Sequence, residues 1–495
     1  MAVIQDQQAG YTAGNKFGLG LQPGELQQVG RDPRGWLQQQ LTQITRVPAA
    51  YKELEASGVL LKRATEDLRE TRKAVQAAKK AGGAEVVQPE KSGADSDTGN
   101  DARKLLAGNE RSSQQELRQQ LSLRMQVALT TQTPFAERLV RFWSNHFSIA
   151  AGGGAKKVLG EIAVPYENEA IRAHLGGRFA ELLVAVEQHP AMLIYLDNAS
   201  SIGPASMAGQ RRQRGLNENL GREILELHSL GVNGGYSQQD VTSLAKIITG
   251  WTVGGLTDQR ALRGEPGRFL FVPLMHEPGT QHLLGNTYRD DDVKQGVRAL
   301  HDLATHPATA RHIAFKLARH FIADQPPPAA VDELSAVFSK TGGDLPSVHA
   351  ALIKLEAAWQ PEQRKLKTPE ELLISLGRGL DIAKLMEANQ NRNSRIKNNF
   401  LLQALQTFAQ VPFTAPSPAG WPDVADYWGG ADALMKRIEW STALAQRLGN
   451  QIDAQKLYPQ LLPEQATLKQ ELARAESPMQ ALALLVASPQ FQWRS

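Results

Sequence analysis

Apolar residues recur along most of this chain at spacings of three and four, the mark of helices that turn one face to a core. The densest local instruction lies between Asn217 and Trp251. Leu216, Leu220, Ile224, Leu227 and Leu230 fall on one helical arc, and Gly231 then supplies the left-handed residue that ends a helix without steric penalty. Gly231 to Tyr236 reads as the turn. Ser237, followed three residues later by Asp240, resembles a capping box, and Val241, Leu244, Ala245 and Ile248 mark the apolar face of a second helix starting near Gln238.

The same spacing predicts helices elsewhere. Residues 51–80 are rich in Ala, Glu, Lys, Arg and Leu, and a helical pattern resumes near Arg103, so this interval reads as a long helical hairpin. Its tip, residues 81–100, has few large apolar side chains and many breakers, and is expected to be disordered. In residues 134–150, Phe135, Leu139, Phe142 and Trp143 form an apolar face with His146 in its middle and Asn145 on its border. Further helices are expected from Asn168 to Asn198, from Asp292 to Phe321 with a division at Pro307, and after Thr368, where Pro369 and Glu371 complete a helix cap. Strands are expected in one place only. Residues 268–272 and 281–284 flank the sequence MHEPGT and predict a short hairpin with His276 and Glu277 at its tip.

The expected fold is therefore mainly α, a multi-helix globular assembly with one small antiparallel β-hairpin. A chain of 495 residues is long for a single core, and three regions are expected at 1–133, 134–325 and 326–495. Absence of strand-helix-strand alternation, a dinucleotide fingerprint or a serine nucleophile elbow argues against a Rossmann enzyme or an α/β-hydrolase.

Composition narrows the chemistry. Hydrophobic content of 41% and charged content of 21% fit an ordinary globular protein, and no apolar run approaches the roughly 18 residues that span a bilayer. The first residues lack a basic region followed by an apolar core, so the expected compartment is the cytoplasm, with partner-carried export to the periplasm as the alternative. Cysteine is absent, which excludes disulfides, thiolate nucleophiles and cysteine metal sites. The basic stretch from Lys62 to Lys80 interleaves acids with its lysines and arginines, as a solvated helix does, and argues against a nucleic-acid footprint.

Candidate chemistry gathers on the first helix of the central pair. With Leu216 at zero and roughly 100° per residue, Glu223 falls inside the apolar arc, while Asn219 and Glu226 lie along its border. A carboxylate placed there needs a partner or a shifted pKa. A core ion pair and an active site both satisfy that need. The candidate catalytic residues are Glu223, His146, Glu226, His228 and Asn219, and the candidate substrate-binding residues are Asn145, Asn217, Arg222, Trp251, His276 and Lys316. Lys316 borders the face formed by Ile313, Leu317 and Phe321 and is the counter-charge expected for Glu223, whereas Arg222 and Glu226 have the spacing of a surface pair. A divalent metal held by oxygen and nitrogen ligands is a candidate cofactor, although the segment GREILELH lacks the His-Glu-x-x-His spacing of zincins.

Several motifs carry a family resemblance. FWSNHF at Phe142 to Phe147, NENLGREILELHSLGVNGGYSQQDV at Asn217 to Val241, ITGW at Ile248 to Trp251 and the later LMHEPGTQHLLG resemble the bacterial family catalogued as domain of unknown function 1800. NKFGLG near the start, HPATARHIAFKLARHF at His306 to Phe321 and GWP at Gly420 to Pro422 are similar too, so the resemblance spans nearly the whole chain. It implies no established activity. It does imply a gene neighbour, a sulfatase-like family catalogued as domain of unknown function 1501, and hence a candidate partner. Three functional classes follow: an enzyme with a buried His/Glu/Asn site, a binding or maturation partner of the sulfatase-like protein, and, last, a DNA-binding helix pair. The second helix opens Gln238, Gln239, Asp240 with no Lys or Arg before Lys246, which suits phosphates poorly.

Overall fold

The computed structural model describes residues 2–81, 97–152, 154–212, 215–256, 264–362, 364–388, 400–448 and 451–494. Its fold is mainly α, and the strands among these residues form short two-stranded antiparallel ribbons. Ser57–Ala81 packs along Asp97–Thr130 as the expected helical hairpin. Most of the tip expected to be disordered, residues 82–96, lies outside the described residues.

The helix Pro134–His146 runs through the middle of the molecule. Proline at its first position costs no hydrogen bond there, and Phe135, Leu139, Val140 and Trp143 are all fully buried. Phe135 meets Phe17 and Phe321 edge-on at ring separations of 5.8 and 5.9 Å, which ties the start of the chain to the later helix Pro307–Phe321. Arg378, buried on the helix Pro369–Gly379, donates to the carbonyls of Gly20 at 2.7 Å and Thr131 at 3.1 Å. Most buried apolar side chains from Tyr11 to Phe491 form one contiguous cluster, with a small second one at Ile202, Val272 and Met275.

The central pair forms as its spacing predicts, with one departure. The first helix, Asn219–Glu223, opens into a wider π turn at Ile224–His228 before the chain reverses at Gly231, whose φ is +85°. Ser237 and Asp240 make the reciprocal cap of the second helix, Gln238–Ile247, at 3.2 and 2.8 Å.

The strands pair differently from the expected hairpin. Phe269–Phe271 lies against Trp251–Val253, and Gln281–Leu283 turns back on Asn286–Tyr288. The reason is local. Leu284 and Gly285 both adopt positive φ, +49° and +78°, the backbone of a tight two-residue hairpin turn, so the second ribbon closes on its nearest neighbour. A third ribbon joins Lys365–Leu366 to Trp493–Arg494. No described helix is long and apolar enough to cross a membrane.

Candidate active site

A cleft of about 790 Å³ opens between the C-terminal half of Pro134–His146, the turn after the π segment, the helix Pro307–Phe321, the start of Pro369–Gly379 and the loop through residues 410–423. Its volume is that of a small-molecule site. Phe142, Leu230, Phe315 and Trp421 supply apolar wall, and ionisable side chains converge between them.

Two histidines on that wall are fixed by the end of the π turn. A helix ends with carbonyls that have no partner of their own. Here the Leu227 carbonyl accepts from His312 Nε2 at 3.1 Å, and the His228 carbonyl accepts from His146 Nε2 at 3.2 Å. A carbonyl only accepts, so each Nε2 carries the proton and each neutral ring keeps its lone pair on Nδ1. Burial, reinforced by the nearby Lys316, lowers His146 well below the ordinary histidine range and His312 to about 4. Both rings are neutral at pH 7. Gly231 also gives His312 its room, since a Cβ at that position would stand 2.7 Å from His312 Nδ1.

Behind the turn, His228 Nδ1 donates to Glu187 Oε1 at 2.8 Å, and neither side chain is exposed. Among the described residues their second polar atoms, His228 Nε2 and Glu187 Oε2, have no protein partner, and neither has His146 Nδ1. The His228 and His146 rings are 6.3 Å apart.

Lys316 is half-buried one turn beyond His312, and it forms no ion pair among the described residues. Burial lowers its ammonium to about 8 against the upward pull of Asp423. Asp423 accepts from His320 Nδ1 at 2.7 Å and lies 3.2 Å from Lys365 Nζ, and the His320 contact together with Lys365 and Arg494 holds it far below the carboxylate range despite its burial. Asn145 anchors the loop that delivers it. The Asn145 amide donates to the Trp421 carbonyl at 2.9 Å and accepts from the Trp421 N–H at 2.8 Å, and Gly420, at φ +80°, passes so close that a Cβ would sit 2.3 Å from the Asn145 carbonyl.

Of the residues predicted from sequence, the cleft gathers Asn145, His146 and Lys316, with His228 directly behind. Glu223 sits elsewhere on the turn. It is half-buried, makes no hydrogen bond among the described residues, and its carboxyl is raised chiefly by burial, with His228 lowering it and Glu226 raising it further. Lys316 is not its ion-pair partner in the described residues. Glu226 takes a hydrogen bond from Tyr236 and pairs with Arg222 at 3.5 Å, the i, i+4 contact its spacing predicts. Asn219 is exposed, and its N–H is capped by Asn217 Oδ1 at 2.9 Å. The projection from Leu216 misplaces Glu223 and Asn219 because the helix begins only at Asn219 and its pitch changes at Ile224.

Trp251 is a buried wedge packed edge-on to Phe269 and against Gly296. His276 and Glu277, expected at a hairpin tip, are buried anchors instead. His276 Nδ1 donates to the Thr249 carbonyl at 2.9 Å, and Glu277 accepts from the Ala205 N–H at 2.8 Å. Sequence reasoning missed His312, Asp423 and Glu187, and placed His320 beside Lys316 on the border of one helix face without making it a site residue. His312, Lys316 and His320 recur every fourth residue and were findable as a polar stripe on one helix face. Among the described residues no group of three or more His, Asp or Glu side chains is arranged to hold a metal ion, so the divalent metal finds no ligand set there.

These features define a mainly helical protein with a cleft lined by histidine, lysine and arginine. The chain belongs to the family described as Protein of unknown function (DUF1800), whose model matches residues 12–493. No curated protein and no solved structure matches it.

Proposed function

We propose that this protein is an enzyme that carries out proton-transfer chemistry on a small molecule bound in the cleft. One observation carries the reading: two neutral imidazoles, pinned through Nε2 to consecutive carbonyls of one turn, stand on the wall beside a lysine that has no ion-pair partner among the described residues. A neutral imidazole with a fixed tautomer and a bare nitrogen is the ordinary general base of enzymes. In this reading His146 and His312 are the bases and Lys316 stabilises negative charge that develops on the substrate. His228 and Glu187 are positioning residues acting through the turn, and Asn145 positions the loop bearing Asp423. Glu223 and Glu226 form a separate half-buried group.

The alternative, a non-catalytic partner of a sulfatase-like protein, has the family's gene neighbourhood behind it. Both are tested by incubating the purified full chain with a small-molecule extract of its host and following all masses over time. Consumption of a compound by the wild type, absent with His146→Gln or His312→Gln, is the expected result. Turnover that survives both substitutions contradicts the assignment, and no turnover with recovery of a sulfatase-like protein on the tagged chain favours the alternative.

A further inference from the structure

The cleft wall carries more positive than negative charge. Among the described residues six cations line it, Arg124, Arg138, Arg141, Arg311, Lys316 and Arg319, against three carboxylates, Glu370, Glu371 and Asp423. Those carboxylates are already shared. Glu370 is bound by both Arg124 and Arg141, Glu371 by both Arg138 and Arg494, and Asp423 by His320 and Lys365. Arg311 pairs outward with Asp332. Lys316 has no carboxylate within ion-pair distance among the described residues, and Arg319 has only the Asp324 carbonyl, at 3.1 Å, and the Phe315 ring, 4.3 Å below its guanidinium. Lys316 and Arg319 are neighbours on one helix turn.

A second observation points to an occupant of the cleft. Among the described residues, three on the wall keep one buried nitrogen without a protein partner: the donor Arg141 Nε and the lone-pair nitrogens His146 Nδ1 and His320 Nε2. Buried polar groups in folded proteins are almost always satisfied, by the protein, by ordered water or by a ligand. The rest of the lining includes Leu230, Phe315 and Trp421, so a purely polar ion would leave much of the cleft unfilled. The volume of the cleft admits a small molecule and is too small for a nucleic-acid duplex.

Resting on the reading of the cleft as a substrate site, we propose that its substrate is an amphipathic anion. The charged group lies at Lys316 and Arg319, and the apolar body lies against Leu230, Phe315 and Trp421. Two fluorescent probes of similar aromatic body test it on the full chain, anilinonaphthalene sulfonate as the anion and N-phenylnaphthylamine as the neutral control. The anion is expected to bind about tenfold more tightly than the neutral probe, and Lys316→Met, checked for folding by circular dichroism, to remove that preference, a change of about tenfold. Lys316→Arg should keep it. Ala419→Trp, an exposed position on the cleft rim, should weaken both probes. Equal affinity of the two probes, both weakened by Ala419→Trp, overturns the anion assignment and leaves the cleft as a binding site. Binding indifferent to Ala419→Trp, or abolished instead by Ile438→Glu in the exposed groove between Ala431–Leu448 and Pro478–Ala487, overturns the anion assignment and the reading of the cleft together.

Discussion

Replacing Glu187 by leucine removes one half of the buried pair that holds the π turn. Glu187 and His228 meet at 2.8 Å with neither side chain exposed, and leucine occupies a similar volume, so the lost contribution is polar. A charge-assisted hydrogen bond contributes roughly 1.5–3 kcal/mol, and stranding the remaining member of a buried pair raises the cost to about 3–5 kcal/mol. Unfolding entropy near the midpoint is roughly 2 cal/mol/K per residue, or ~1 kcal/mol/K for a chain of this length. Glu187→Leu should therefore lower the calorimetric melting temperature by about 3–5 °C. Glu187→Gln keeps an acceptor for His228 Nδ1–H and should lose about half as much. Because the His228 carbonyl also holds His146, both variants should shift the His146 ring resonances. A leucine variant that melts with the wild type, or a glutamine variant as unstable as the leucine one, refutes the buried-pair account.

Three further outcomes follow from the same geometry. Gly231→Ala forces a side chain into a left-handed backbone and to 2.7 Å from His312 Nδ1, and should cost at least about 1–2 kcal/mol and displace the His312 resonances. Asn145→Ala removes both hydrogen bonds to Trp421, at a cost of about 1–3 kcal/mol, and should speed amide exchange at Trp421. The pH dependence has a defined sign: His312 is lowered from 6.5 to about 4, so the unfolded chain binds a proton in that window that the folded chain refuses. Its share of stability is present above pH 6.5, is lost as pH falls towards 4 and then levels off, and His312→Gln should flatten the urea-midpoint profile there.

Features written within a few residues were legible in the sequence. Ser237 and Asp240 announce their helix by mutual capping, and Gly231 ends its helix because no other residue adopts that backbone so readily. His146 was placed correctly on a buried face because the helix around it is regular from Pro134 onwards. Glu223 was placed too deep because the widened turn after it leaves no mark in the apolar spacing. Strand composition located residues 269–271 and 281–283, yet strand composition does not name a partner, and the two positive-φ residues at 284 and 285 decided it. The pairs that build the cleft were the hardest to see. Glu187 and His228 are 41 residues apart and His320 and Asp423 are 103 apart, separations at which no periodicity survives.

The central claim is that the cleft holds two neutral, tautomerically fixed imidazoles ready to accept a proton. Long-range proton-nitrogen correlation spectra of ¹⁵N-labelled protein at pH 7, with His146→Gln and His312→Gln used for assignment, read this directly. The expected result is the neutral Nε2–H pattern for both rings, with Nδ1 at the shift of a bare nitrogen. A cationic pattern, or a proton on Nδ1, at either residue contradicts it.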